Sequence, residues 1–158
     1  MISLRPICAG DEAAFQQFVR GLSLESRLHR FLQPLRELAP GQLAALTQPD
    51  QSRHVAMAAV DGDAIIGEGR YVALGDSGRA EFAIAVTDEW QRNGIGARLL
   101  GALMAAARQA GLAALEGEVL RTNTAMLKFV GRAGFRMKAC EDARLTVVER
   151  NLVAAQTG

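Results

Sequence analysis

Histidine, cysteine, tyrosine and tryptophan are nearly missing from this chain of 158 residues, which holds two His, two Cys, one Tyr and one Trp. Chemistry that rests on imidazole, thiolate or phenol therefore has few carriers. A four-ligand zinc site would use every His and Cys at once, and Cys8, His29, His54 and Cys140 lack ligand spacing, so no metal is expected. Two distant cysteines do not form a disulfide framework, which fits a reducing cytoplasm. No apolar run is long enough to span a bilayer, and Met1-Ile2-Ser3-Leu4-Arg5-Pro6 does not open a secretory leader. The basic residues lack interleaved aromatics, so nucleic acid is not an expected partner.

What is present is ordinary globular composition, 49% hydrophobic and 22% charged, and the length predicts one domain over 1–158. The net charge of +1 hides an asymmetry. Residues 1–90 hold 8 Lys+Arg against 12 Asp+Glu, net −4, and residues 91–150 hold 10 against 5, net +5. A basic second half suits an anionic ligand and an acidic first half a cationic one, although solvated faces are the default explanation of such a bias.

The pattern predicts a first strand over 2–8, then an amphipathic helix opened by Asp11-Glu12 with Phe15, Phe18, Val19 and Leu22 on its apolar face. A second helix is expected over 23–33, stopped by Pro34, with a further turn or two over 40–47. Residues 54–60, 64–74 and 79–87, separated by Asp61-Gly62-Asp63 and Gly75-Asp76-Ser77-Gly78, read as a three-stranded antiparallel meander. Beyond Gly94 the period becomes helical, with Ile95, Leu99, Leu100, Leu103, Met104 and Ala107 on one face up to Gly111. A strand over 112–120, a helix over 123–133 and strands over 136–138 and 144–150 complete a mixed α/β layer architecture.

The most informative segment is Val86-Thr87-Asp88-Glu89-Trp90-Gln91-Arg92-Asn93-Gly94-Ile95-Gly96-Ala97-Arg98. A strand here meets a glycine turn and a long helix, whose first amides lack partners and carry partial positive charge. Glycines let a pyrophosphate approach the main chain, and Arg92 and Arg98 offer charge-assisted contacts. No Gly-Lys-Ser/Thr follows, so this is not a P-loop. The third glycine of a dinucleotide fingerprint falls on Leu99, which excludes that motif too.

Gln91-x-x-Gly94-x-Gly96-Ala97 resembles the Gln/Arg-x-x-Gly-x-Gly/Ala loop of the GNAT N-acetyltransferases, and Asn123 to Phe135 resembles that family's Asn-led helix ending in Gly-Phe. The resemblance covers most of the chain. It implies an α/β (α+β) GNAT fold: a mixed, mostly antiparallel twisted sheet of six to seven strands, about four helices, and a splay between strands 4 and 5. It implies acetyl-CoA as acyl donor, bound by Ile84, Ala85 and Val86, by the loop Gln91, Arg92, Asn93, Gly94, Ile95, Gly96 and Ala97, and by Asn123 and Met126.

Acetyl transfer to an amine needs a nitrogen that has lost its proton, hence a general base. Glu81 stands in Ala80-Glu81-Phe82-Ala83-Ile84-Ala85-Val86, where period-two alternation puts Glu81, Ala83 and Ala85 on one face and Phe82, Ile84 and Val86 on the other. Alone, such a carboxylate reads as a solvated strand end. The resemblance assigns it as the base, since bacterial protein-lysine acetyltransferases of this superfamily carry a Glu there. Glu68 is the reserve candidate; Glu116 and Glu118 read as strand-surface carboxylates. Many relatives place a Tyr acid seven residues after the motif Asn, where this chain has Val130, and Tyr71 reads as a packed strand aromatic.

Leu22-Ser23-Leu24-Glu25-Ser26-Arg27-Leu28-His29-Arg30-Phe31 looks like the corresponding stretch of acetyltransferase domains that modify a lysine of acyl-CoA synthetases, except that Leu28-His29 replaces an aromatic often found there. His29 by itself reads as a helix-surface residue. The expected function is acetyl-CoA-dependent transfer to a primary amine of a protein lysine, by a monomer or homodimer. The alternatives are a small-molecule amine acetyltransferase and a non-catalytic acyl-CoA-binding domain.

Overall fold

The computed structural model describes residues 1–153; the end of the expected 1–158 unit lies outside the described residues. The elements run β1 (Ile2–Pro6), α1 (Glu12–Gly21), α2 (Leu24–Phe31), α3 (Pro40–Thr47), β2 (His54–Asp61), β3 (Ala64–Ala73), β4 (Arg79–Val86), α4 (Ile95–Gln109), β5 (Ala114–Leu120), α5 (Thr124–Arg132), β6 (Arg136–Ala139) and β7 (Leu145–Asn151). The strands form one sheet in the order β1-β2-β3-β4-β5-β7-β6, antiparallel throughout except between β4 and β5. The turn or two expected at 40–47 is the short helix α3, and the described α-helices number five, against the four or so that the resemblance implied.

Each face of the sheet carries its own core, because strand side chains alternate in direction. On one face Phe15, Phe18, Val19 and Leu22 of the first helical segment pack with Leu43 of α3 and Ala56, Ala58 and Val60 of β2. On the other, Leu99, Leu100, Leu103 and Ala107 of α4 and Val130 of α5 pack over Phe82, Ile84, Leu115 and Val148. The apolar faces read from period 3.6 are the ones buried. α2 ends at Phe31, earlier than Pro34 would require. Leu32 adopts the left-handed region at φ 60° and its N–H bonds the Leu28 carbonyl at 2.8 Å, closing the helix before the proline acts.

The parallel β4–β5 ladder is short, running only from Arg79↔Ala114 to Glu81↔Glu116. Past that point the strands part. Gly117 sits where they diverge, under the ring of Phe82: a Cβ on Gly117 would lie 2.9 Å from Phe82 Cε1 and 3.2 Å from its carbonyl oxygen. Gly117→Ala is therefore expected to force a shift of the packed ring and strand. The cost should be about 1–3 kcal/mol of stability, read from chemical denaturation.

Candidate active site

The parting strands open onto a cavity of about 970 Å³ walled by α2, β4, the β4–α4 loop, β5 and α5. Alternation fixes which β4 backbone groups face it. The Arg79 carbonyl accepts from Leu74 and the Thr87 N–H bonds Ile66, so odd-numbered residues of β4 are turned to β3, whereas the Gly78 carbonyl accepts from Ala113 beside β5. By this parity the peptide groups of Ile84 and Val86 face the gap and those of Ala85 are used on β3. The Val86 carbonyl is already covered, accepting from Gln91 Nε2 at 3.0 Å.

At one end of the cavity lies the N-terminus of α4. Gly94 takes φ +78°, a conformation that favours glycine, and has no side chain with which to cap the amides of Ile95, Gly96 and Ala97. Gly96 faces Phe129 across the cavity floor, where a Cβ would make ordinary contact at 3.5 Å. Asn93 does not line the cavity; its Nδ2 donates to the carbonyls of Trp90 and Gln91 and so shapes the loop. Ile95 also lies outside the lining, with its side chain in the core. Arg92 lines the cavity, but Arg98 points away and donates to the Ile2 carbonyl at 3.3 Å.

Asn123 and Met126 meet the cavity from α5. Asn123 is buried and its Oδ1 accepts the Met126 N–H at 3.2 Å as the helix cap, which leaves Nδ2 as the group it can present. Thr124, Lys128 and Arg132 line the same wall, four residues apart on one helix face. The motif reading missed the two cations of this row, Lys128 and Arg132, although their spacing was visible. With Arg92 these side chains add positive charge to the cavity lining. Among the described residues no group of three or more His, Cys, Asp or Glu is placed to hold a metal ion.

Glu81 is the last residue of β4 paired with β5 and stands just outside the lining, which takes in β4 from Phe82 onward. Although its side chain is exposed, the protein around it strips part of its hydration, and this with the carboxylates of Glu118 and Glu116 raises its pKa, against a smaller opposing pull from Arg30. Glu118 lines the cavity, whereas Glu116 is paired with Arg79 at 2.6 Å. Glu68, the reserve candidate, is fully buried and holds Arg30 Nε and Arg70 Nε, the latter at 2.9 Å. Burial pushes its carboxyl upward, but the two guanidiniums outweigh that and hold it below its ordinary value. Such a group is an anchor, not a proton acceptor.

Val130 is fully buried in the core, so a side chain there contributes no proton donor to the cavity. Tyr71 is buried too, as its strand position predicted, and burial raises its pKa. His29 lies on the cavity wall beside Glu25, Ser26 and Arg30, not merely on the helix surface.

The profile of the Acetyltransferase (GNAT) family matches residues 18–135. The structure is similar to the GNAT domain of PAT from S. lividans, with TM-score 0.89 and 29% identity over 94% of this chain and 89% of that one. An acetyltransferase of Pseudomonas aeruginosa is 29% identical over 153 residues, covering 94% of this chain and 82% of the relative. Acetyltransferase Pat of Mycolicibacterium smegmatis is 32% identical over 134 residues, but this chain spans only 40% of its length. A glycine loop at the head of α4, a parallel splay between β4 and β5, and a family match across both put the chain in the acetyltransferase (GNAT) family, as an N-acetyltransferase.

Proposed function

We propose that the chain transfers an acetyl group from acetyl-CoA to a protein lysine, with Glu81 as general base. The observation that carries this reading is the polarity of the cavity: uncapped amides, Arg92, Lys128 and Arg132 at one end, and the carboxylates of Glu118 and Glu81 toward the other. An anionic donor suits the first end and a cationic acceptor the second. The residues fit the donor chemically. Ile95, Gly96 and Ala97 present amides to a pyrophosphate, and Ile84 and Val86 present strand groups to the amides of a pantetheine arm.

Acetyl-CoA supplies the acetyl group as a thioester, whose C–S bond breaks as the lysine nitrogen bonds the carbonyl carbon. Glu81 takes the proton that the ammonium must lose, by way of a water, since its carboxylate stands outside the cavity lining. A strand N–H in the splay stabilises the charge that develops on the carbonyl oxygen. Val130 offers no acid, and none is required when a thiolate with pKa near ~8.5 leaves and takes its proton from solvent.

Lysine is favoured over a small amine because α2, the stretch resembling enzymes that act on acyl-CoA synthetases, forms a wall of an open cavity. Thiol release from acetyl-CoA, measured with acyl-CoA synthetases and with small amines, tests this. Acetylation of a single synthetase lysine is the expected result; turnover of small amines alone would overturn the lysine acceptor. Absence of any turnover alongside tight coenzyme A binding would favour a binding domain.

Gly96→Leu tests the donor end. A Cβ there already touches Phe129, so the rest of the side chain would project over the amides of the loop, and coenzyme A affinity is expected to fall about tenfold or more, the equivalent of roughly 1.4 kcal/mol, by calorimetry. The helix keeps its φ there, so thermal unfolding should shift little.

A further inference from the structure

α2 is an unusual wall, because none of its side chains is fully buried. A helix of this length cannot stand by itself, and here apolar packing contributes little to holding it. Polar fastenings hold it instead. Arg27 donates to the carbonyls of Leu22 and Leu35, the latter at 2.8 Å, and Arg30 near its C-terminal end is gripped by buried Glu68.

The first turn is fastened differently, to the loop that leads into α4. Asp88 Oδ1 accepts the Ser23 N–H at 3.1 Å, and its Oδ2 accepts the hydroxyls of Ser23 at 2.9 Å and Ser26 at 3.1 Å. The Ser23 hydroxyl in turn caps the helix by accepting the Ser26 N–H at 3.1 Å. Gln91 Nε2 reaches the Ser26 hydroxyl at 3.5 Å while donating to the Val86 carbonyl. A carboxylate at a helix N-terminus also complements the helix dipole. These bonds join residues more than sixty positions apart, and they join two walls of the cavity: the loop that would hold the donor, and the helix carrying His29 and Arg30.

We propose that Asp88 is a positioning residue that couples the two sides, so that fixing the loop with coenzyme A fixes α2 and the acceptor wall with it. The inference rests on the donor-site reading above and goes beyond it. Because α2 has few apolar anchors, its order depends on how firmly its clasp is held, and the clasp is carried by the loop. By linkage, what steadies the loop steadies the helix, and the effect is reciprocal.

Amide hydrogen exchange of residues 24–31, with and without saturating coenzyme A, tests this on the full chain, with affinities from calorimetry. In the parent, coenzyme A is expected to slow α2 exchange about fivefold or more, and in Asp88→Ala that slowing should vanish while coenzyme A still binds. A merely structural cap would raise exchange equally in both states and leave the increment intact, a result that overturns the coupling. Should Asp88→Ala fail to fold or to bind, the double replacement Ser23→Ala with Ser26→Ala, which keeps Asp88 in the loop but removes both hydroxyls that it holds, decides: a reduced increment supports the clasp, an undiminished one overturns it. Coenzyme A binding to the parent without any slowing of α2 overturns the clasp alone, and absence of binding overturns the donor-site reading together with it.

Discussion

Glu81→Gln is expected to lower kcat for acetyl transfer by about 10²–10⁴-fold, the usual worth of a general base, with coenzyme A affinity unchanged. The measurement is thiol release with an identified acceptor across a pH series. Partial loss of hydration and the carboxylates of Glu118 and Glu116 raise the pKa of Glu81, so the proton is retained to higher pH than on an ordinary carboxylate. Activity of the parent should therefore fall on the acid side with a limb above the usual Glu range, and that limb should disappear in the variant. Glu118→Gln, which removes one of the two acidic neighbours, should move the limb to lower pH.

The same shift has a stability consequence of opposite sense. A carboxyl whose folded pKa is raised contributes stability present below its unfolded value and lost as pH rises through the folded one. At neutral pH the ionised Glu81 is thus a cost to the fold, and Glu81→Gln should unfold at the same temperature as the parent or higher. Parental turnover in a folded Glu81→Gln would remove this carboxylate from the chemistry.

Local signals explain what the sequence disclosed. The glycine turn, the period of α4 and the Asn cap of α5 are each written within a few neighbouring residues, so the loop end of the cavity was legible, including Gly94, Gly96 and Asn123. Side-chain alternation along β4 was legible too. Which of its peptide groups face the gap was not, because that depends on which edge β3 occupies, and so Ala85 turns out to direct its backbone to β3. The chain also does not announce that Arg98 points to β1 and that Lys128 and Arg132 line the cavity instead. Charge asymmetry carried that information only as a sum. Glu68 was the least legible, because its partner Arg30 is 38 residues away on α2, and nothing in the pattern of β3 distinguishes a buried anchor from a reserve base.

Glu68→Gln is expected to destabilise the protein by about 3–5 kcal/mol, measured by urea or guanidinium denaturation, because it leaves two guanidiniums in a desolvated site without their anion. Arg30 and Arg70 are both largely buried, and Arg70 is already short of partners: its Nη1 donates to the Leu46 carbonyl and meets His54 Nε2, while Nη2 has none. The carboxyl of Glu68 is held below its ordinary pKa, so its contribution is present above the unfolded value and is lost as pH falls through the depressed one. The gap between parent and variant should accordingly be full at neutral pH and close in acid. The loss belongs to the unpaired charges more than to the pair itself, which a double replacement can show. With Glu68→Met and Arg70→Met together, one guanidinium, that of Arg30, is left without its anion, instead of the two that loss of Glu68 alone would strand. The combined loss should then be well below the sum of the two single losses, the non-additivity of residues in one network. A simple sum would mean that the two side chains act separately.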